Sequence, residues 1–298
     1  MPIEPIAGVS RINELFWEGA LEEIARFSEA EPTIVAIGKP SALANLVLRR
    51  FPLLKSVYDM MDNFPAFYGG VSKRVFERRE RQVVEAVGMV VCSSTNLLGR
   101  ALALGADPHL VKNAHGPDPS FIAPRLTSLP SERPLVLGYV GTIARWFDWK
   151  LVAELASARP RDIVRLIGPL YDKPTFELPL NVEILPPVSH PVAIEAMRNF
   201  DLALIPFKEN DLTWGVDPLK YYEYRALALP IVTTKFGEMA RRLDESGVFF
   251  VDDATNIKQV IEKATKYVMT EDERRSFIEL NSWNRRFDGS PFRDILHN

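Results

Sequence analysis

The chain has 298 residues, of which 47% are hydrophobic and 25% charged, and its length suits two domains of about 150 residues. This composition is typical of a globular protein, and the net charge of −3 excludes a general attraction to nucleic acid. The single cysteine, Cys92, excludes an intramolecular disulfide and predicts a reducing, cytoplasmic location.

The first part of the chain, residues 1–118, alternates helical patterns with short apolar runs rich in β-branched residues. Helices are predicted at 11–28, 41–50, 72–87 and 94–104, and strands at 33–37, 56–59 and 89–92. This alternation predicts an abbreviated N-terminal α/β domain of the Rossmann type. A proline-rich stretch follows, with prolines at 117, 119, 124, 130 and 134, and it predicts an interdomain linker over 119–134.

The second part, residues 135–276, continues the alternation more regularly. Strands are predicted at 135–140, 163–167, 182–185, 202–206, 230–233 and 248–251, and helices near 148–159, 191–199, 219–228, 238–245 and 256–269. This pattern predicts βαβ units on a parallel sheet, a second Rossmann-like domain. The apolar residues of 277–298 predict a segment that packs back toward the N-terminal domain. Because ligands bind at the carboxyl ends of strands in open α/β folds, we expect the active site in a cleft between the two sheets.

The most informative stretch lies inside the second part and begins at Asp217. Asp217 and Pro218 are typical of an N-cap and a first helical residue, and a helix N-terminus attracts anions such as phosphate. Lys220 and Glu223 share one face of this helix, where one can meet a phosphate and the other can accept hydrogen bonds from hydroxyls. The same spacing also fits a simple exposed ion pair. The flanking residues favour a nucleotide-sugar site.

Residues 218–224, PLKYYEY, followed by LPIV at 229–232, resemble the donor-site motif of GT-B glycosyltransferases. The resemblance is strongest to family 4, a group of retaining enzymes that use nucleotide-sugars. It implies an α/β fold with two Rossmann-like domains facing across a cleft. It also implies that Glu223 accepts hydrogen bonds from the donor ribose, and that the backbone near Pro218, Leu219 and Lys220 holds the distal phosphate.

Further positions follow from the same resemblance. Gly141 ends the GYVG segment that opens the second domain, and Arg145 is the nearest candidate for the basic residue that neutralises the diphosphate. The family's first glutamate, in a Glu-x7-Glu pattern, falls on Gly215, so a carboxylate that usually contacts the sugar is absent.

The acceptor side depends on the loop after the second predicted strand. Where many family members carry a histidine, this chain has Asp59 and Asp62, and we expect them to orient the acceptor hydroxyl or to stabilise positive charge. The aromatic residues that follow could stack on an acceptor sugar or a lipid-linked group: Phe64, Phe67 and Tyr68. The basic run 73–81 is either a solvated helix face or a surface for anionic lipid. His115 and His190 lie in predicted loops, and no metal-binding cluster is predicted.

Together these features predict a metal-independent glycosyltransferase without a cofactor. It would transfer a sugar, with retention, from a nucleoside diphosphate donor to a sugar or lipid-linked acceptor in polysaccharide, O-antigen or glycolipid assembly. No apolar stretch is long enough to cross a bilayer, so we expect at most a peripheral contact with the inner membrane face. Two alternatives remain open: a nucleotide-sugar epimerase on the same fold, and a non-catalytic nucleotide-sugar-binding partner.

Overall fold

The structure is a computed structural model that describes residues 10–116, 133–252, 255–288, 290, 291 and 295. The chain divides into two compact units. The first holds the described residues up to Lys112, those from Ser290 on, and the short segment Trp214–Val216, and the second holds the remainder. The predicted linker 119–134 lies outside the described residues apart from 133 and 134, and the predicted domain boundaries stay predictions.

The first unit contains a parallel sheet of four strands in the order β1-β2-β3-β4. The strands are β1 (Ile34–Ile37), β2 (Lys55–Met60), β3 (Met89–Cys92) and β4 (Pro108–Leu110), and the helices are α1 (Ser10–Ala30), α2 (Ala42–Arg50), α3 (Gly70–Ala86) and α4 (Thr95–Ala103). A short 3-10 helix spans Phe64–Phe67. Helices α2 and α4 are capped by Ser41 and Ser94, whose hydroxyls accept from backbone N–H groups of the first turn. The core buries Tyr58, Met60 and Cys92 between the sheet and these helices.

The second unit contains a parallel sheet of six strands in the order β10-β9-β8-β5-β6-β7. The strands are β5 (Val136–Val140), β6 (Ile163–Ile167), β7 (Val182–Leu185), β8 (Leu202–Ile205), β9 (Ile231–Thr233) and β10 (Val248–Phe250). The helices are α5 (Trp149–Ala158), α6 (His190–Arg198), α7 (Leu219–Ala226), α8 (Ile257–Lys266), α9 (Glu271–Leu280) and α10 (Trp283–Asp288). Central strand β8 is apolar at every position and fully buried, as a parallel strand covered on both faces must be.

The strand order places a switch point beside β5. From β5 the chain runs outward through β6 to β7, then returns to β8 on the other side of β5 and runs outward through β9 to β10. The loops that leave β5 and β8 therefore turn in opposite directions, which opens a crevice at the carboxyl ends of these two strands. The prediction of an α/β fold with parallel sheets is confirmed.

Several predicted elements differ from those observed. The helix predicted at 238–245 is only a 3-10 helix, Gly237–Arg241, because the chain turns again where the amide of Glu245 donates to the carbonyl of Arg242. Strand β4 was not predicted, since a proline opens it and it is a short edge strand. Helix α9 was also missed, although Thr270 and Glu273 form a capping box. Among the described residues, no helix combines the length and apolar character that a bilayer span requires.

The end of the chain is divided between the units. Helices α9 and α10 belong to the second unit, where the ring of Phe277 packs edge-on against Tyr221 at 5.8 Å. The described residues from Ser290 on group with the first unit. Phe292, which the sequence placed in the predicted apolar series, lies outside the described residues. The predicted packing of 277–298 stays a prediction.

Candidate functional site

The floor of the candidate site consists of two glycines at the carboxyl ends of neighbouring strands in the second unit. Gly141 follows β5 with a φ of 140°, and Gly168 follows β6 with a φ of 148°. The amide of Gly141 donates to the carbonyl of Ile167 at 2.8 Å. A Cβ on Gly168 would lie 2.1 Å from the carbonyl oxygen of Gly141, so no side chain fits there. The glycines thus let two backbone segments meet beside the switch point.

Lys220 lies directly over this floor. A Cβ on Gly141 would be 2.4 Å from Cε of Lys220, so the lysine occupies the space that the glycine leaves. Its Nζ is 5.3 Å from the ring centroid of Tyr139, on β5, and 5.8 Å from that of Phe207, just after β8. Burial lowers the pKa of Lys220, and the carboxylate of Glu223 opposes this shift. The ammonium group therefore stands above the β5/β8 switch point, against the faces of two aromatic rings.

The predicted N-cap role of Asp217 is wrong. The N-cap of α7 is Pro218, whose side chain makes no capping hydrogen bond. Asp217 is buried instead: its Oδ1 accepts from Arg242 at 2.8 Å, and its Oδ2 accepts from the hydroxyl of Tyr222 at 2.7 Å and from the amide of Asn113 at 3.0 Å. These partners hold the carboxylate inside the protein, away from the amides it was expected to cap. Burial raises the pKa of Asp217, against the opposing effect of Arg242.

This arrangement leaves the positive end of α7 without a side-chain cap. Leu219, the first helical residue, is exposed, whereas Pro218 is buried. Their positions agree with the predicted role of the local backbone in binding an anion, although that role stays a prediction. Arg145 is exposed in the loop after Gly141, and its carbonyl oxygen accepts from Lys208 at 3.4 Å.

Glu223 follows Lys220 on the same face of α7 and meets a residue from another helix. Its Oε1 lies 3.3 Å from Nε2 of His190, the first residue of α6. The side chain of Glu223 is 15% exposed and that of His190 is 58% exposed. A carboxylate that accepts hydrogen bonds is therefore held on the helix that also carries the cation of Lys220. Both residues lie in the second unit.

The predicted catalytic aspartates lie in the first unit, at the carboxyl end of β2. Asp59 is within the strand and Asp62 is in the turn that follows, where its carbonyl accepts from the amide of Phe64 at 3.0 Å. Burial, together with the charge of Asp59, raises the pKa of Asp62 to about 6, and burial raises the pKa of Asp59 as well. A carboxyl group with a pKa near 6 can exchange a proton close to neutral pH.

Comparison with known proteins gives one sequence relative and many similar folds. No family model matches the chain. Over 213 residues it is 26% identical to the putative teichuronic acid biosynthesis glycosyltransferase TuaH of Bacillus subtilis (strain 168), an alignment that covers 62% of this chain and 53% of TuaH. The chain thus spans about half the length of this relative.

The solved structures extend the likeness over nearly the whole chain. Sucrose-phosphate synthase from Thermosynechococcus elongatus matches with a TM-score of 0.70 and 14% identity, over 99% of this chain and 80% of that one. HepE of Anabaena in complex with UDP-glucose matches with a TM-score of 0.60 and 14% identity, over 88% of this chain and 75% of that one. The chain has the GT-B glycosyltransferase fold. The closer assignment to retaining family 4, with a shortened N-terminal domain, stays a prediction.

Gly215, which occupies the position of the first carboxylate in the Glu-x7-Glu pattern, packs against α4 within the first unit. A Cβ at Gly215 would lie 2.8 Å from Cδ2 of Leu97, and the hydroxyl of Ser94 donates to the carbonyl of Gly215 at 2.7 Å. Both partners are at the start of α4, in the first unit. A side chain at 215 would therefore require the side chain of Leu97 to shift.

All three aromatic residues of the predicted acceptor loop have aromatic partners within the first unit. Tyr68 stacks on Phe76 with the ring centroids 4.3 Å apart, and Phe76 is fully buried. Phe64 and Phe67 face each other at 6.1 Å. One face of Tyr68 is thus occupied by packing within this GT-B chain, and the predicted stacking on an acceptor stays a prediction.

His115 and His190, the two histidines of the predicted loops, have different surroundings. The ring of His115 is buried, with Nδ1 2.8 Å from the carbonyl oxygen of Gly116 and Nε2 2.7 Å from that of Ile278. His190, by contrast, meets Glu223 at the candidate site. The sequence predicted that His190 lies in a loop that could border the cleft, whereas it is the first residue of α6. Its contact with Glu223 could not be predicted, because the two residues are 33 positions apart. No metal-binding group of three or more His, Cys, Asp or Glu side chains occurs in the part of the chain that the structure describes.

Proposed function

We propose that this chain is a glycosyltransferase that moves a sugar from a nucleoside diphosphate donor to a hydroxyl acceptor. The observation that carries the proposal is the placement of Lys220 over Gly141 at the β5/β8 switch point, with Glu223 beside it on the same helix. The GT-B fold supports the proposal. So does the sequence similarity to TuaH, described as a putative glycosyltransferase of teichuronic acid biosynthesis.

In this proposal the donor diphosphate binds at the start of α7. The backbone amides near Pro218, Leu219 and Lys220 contact the distal phosphate, and the ammonium of Lys220 adds a full positive charge. Arg145, on the exposed loop after β5, is the second candidate cation. Glu223 accepts hydrogen bonds from the ribose hydroxyls. The likeness to HepE, solved with UDP-glucose, supports a nucleotide-sugar donor.

The chemistry of the proposed transfer depends on the charges that develop as the donor bond breaks. When the bond between the anomeric carbon and the diphosphate oxygen breaks, negative charge grows on the diphosphate, and Lys220 and the helix end stabilise that charge without a metal ion. Asp59 and Asp62 are proposed to orient the acceptor hydroxyl or to stabilise the positive charge that develops on the sugar. Retention of the anomeric configuration is the stereochemical outcome that the family 4 resemblance implies. Analysis of the product anomer by NMR tests it.

The acceptor is proposed to be a growing polysaccharide or glycolipid. The similarity to TuaH supports this class of acceptor. Helix α3 carries exposed arginines that would suit peripheral contact with an anionic membrane face: Arg74, Arg78 and Arg81. Binding to vesicles with and without anionic lipid tests that contact.

The deciding experiment measures nucleotide binding and donor turnover together. Isothermal titration with UDP, GDP and ADP should show binding that Glu223→Ala weakens by about ten- to a hundredfold, since a hydrogen-bonded carboxylate contributes roughly 1.5–3 kcal/mol. Glu195→Ala, which removes an exposed glutamate of α6, is the matched control and should bind as the wild type does. Unchanged affinity in Glu223→Ala would exclude the ribose assignment.

A second candidate function is non-catalytic binding of a nucleotide-sugar, and the missing carboxylate at Gly215 favours it. In the family resemblance, this position carries the carboxylate that usually contacts the transferred sugar, and glycine has none. Incubation with UDP-sugars and a panel of acceptors separates the candidates. Transfer supports the enzyme, whereas tight binding without transfer supports the binding protein. An epimerised sugar formed in the absence of acceptor would indicate an epimerase instead.

A further inference from the structure

A pair of polar residues from two helices stands at the carboxyl end of the second sheet. Glu223 comes from α7, and His190 comes from the first position of α6, just after β7. Their side chains meet at 3.3 Å although they are separated by 33 positions in the sequence. The pair therefore depends on the assembled sheet, and neither helix specifies it alone.

His190 is held where it can fix the carboxylate. Pro191 follows it in the first turn of α6, where the fixed φ of proline favours the helical conformation. In the tautomer with hydrogen on Nε2, the imidazole donates to Oε1 of Glu223. The contact limits the rotamers that Glu223 can adopt. It also leaves Nδ1 of an exposed ring with a lone pair.

The second oxygen of Glu223 and Nδ1 of His190 are both hydrogen-bond acceptors. A ribose ring presents two neighbouring hydroxyls, and each can donate one hydrogen bond. Lys220, on the same face of α7, supplies the positive charge that suits the adjoining phosphates. The side chains of the two helices thus match a nucleoside diphosphate: Lys220 suits its phosphates, and Glu223 and His190 suit its ribose hydroxyls.

We propose that His190 is a positioning and specificity residue for the donor nucleotide: it orients Glu223, and the two residues together distinguish ribose from deoxyribose. This inference rests on the proposed function, because it concerns the same nucleotide site. His190 follows β7 and opens α6, so it is a residue of the nucleotide site that the sequence motif on α7 does not include. A plain surface ion pair would give no discrimination between the two sugars.

The test compares ribonucleotide and deoxyribonucleotide affinities. UDP and 2′-deoxy-UDP are titrated into the wild type, His190→Ala, His190→Gln and Glu223→Ala. If GDP binds the wild type more tightly, GDP and 2′-deoxy-GDP are used instead.

The wild type should prefer the ribonucleotide by about tenfold, the size expected for a hydrogen bond to a charged group. His190→Ala should reduce that preference to about twofold, and His190→Gln, whose amide can still donate to Glu223, should restore most of it.

Two controls separate this role from a general effect on structure. Inorganic pyrophosphate, which has no ribose, should bind the wild type and His190→Ala equally. His109→Ala, which removes an exposed histidine in β4, should keep the full ribose preference.

Each remaining outcome is decisive. If the wild type binds no nucleotide, the proposed function fails and this inference fails with it. If Glu223→Ala loses the ribose preference while His190→Ala keeps it, only the role of His190 is overturned. Equal weakening of both nucleotides and of pyrophosphate in His190→Ala, without rescue by His190→Gln, would show a merely structural residue and also overturn it.

Discussion

The two units both place polar residues where parallel strands end, but they prepare these residues in different ways. In the second unit the site is formed mainly by the backbone: Gly141 and Gly168 allow two loops to pack together, and the N-cap residue of α7 makes no side-chain capping hydrogen bond. In the first unit the preparation is electrostatic, because burial and a neighbouring charge raise the pKa of Asp62 to about 6. A site built by the backbone demands particular residue types, whereas a site built by burial accepts any sequence that buries the same carboxyl.

The largest expected effect tests the backbone part of this contrast. Gly168→Ala should lower the free energy of unfolding by about 3 kcal/mol, because its Cβ would meet the Gly141 carbonyl and its φ is unfavourable for alanine. Urea denaturation measures the change. Gly99→Ala, in α4 with no atom near its Cβ position, is the matched control and should stabilise by roughly 0.5–1 kcal/mol. A loss below 1 kcal/mol in Gly168→Ala would show that the two loops are not packed as described.

The next prediction concerns the cation above that backbone. Lys220→Met keeps most of the side-chain volume and removes the charge, so it should weaken UDP binding about 100-fold, or on the order of 2.7 kcal/mol. Isothermal titration measures the affinity. Lys150→Met, at an exposed position of α5, should bind UDP as the wild type does. Equal affinities for the wild type and Lys220→Met would remove Lys220 from the phosphate site.

A smaller effect tests the electrostatic preparation of the first unit. The folded protein holds a proton on Asp62 up to a higher pH than the unfolded chain does, so this group costs stability as the pH rises from about 4 through about 6. Asp62→Asn should therefore be about 1–2 kcal/mol more stable than the wild type at pH 7.5, with little difference at pH 4. Chemical denaturation at the two pH values measures this. The control is Asp107→Asn, at an exposed position. A gain that is the same at both pH values would contradict the raised pKa.

The smallest expected effect probes the position where the family pattern is broken. Gly215→Ala should cost about 1 kcal/mol, because the end of the Leu97 side chain can move by part of an ångström to make room. The double variant Gly215→Ala/Leu97→Ala measures the coupling of the two sites. If the losses simply add, the contact between them does not determine the cost.

Features that depend on neighbouring residues could be predicted from the sequence, whereas contacts between residues far apart in the sequence could not. The strands of the second sheet have the apolar, β-branched runs that local patterns reveal, and most predicted bounds agree with those observed within two residues. Asp217 misled because its local context is typical of an N-cap. Its actual partners, Arg242 and Asn113, are distant in sequence. The pairing of His190 with Glu223 and the packing of Gly215 on Leu97 depend on the same kind of long-range contact.

The buried Asp217 connects two parts of the second unit that are distant in the sequence. The amide of Asn113 donates to its Oδ2 at 3.0 Å, and the side-chain amide of Asn113 donates to the carbonyl of Asp217 at 2.6 Å. Asn113 is where the chain first enters the second unit. Two hydrogen bonds thus connect the residue at which the chain enters the second unit to the residue just before the N-cap of α7, the helix that carries Lys220.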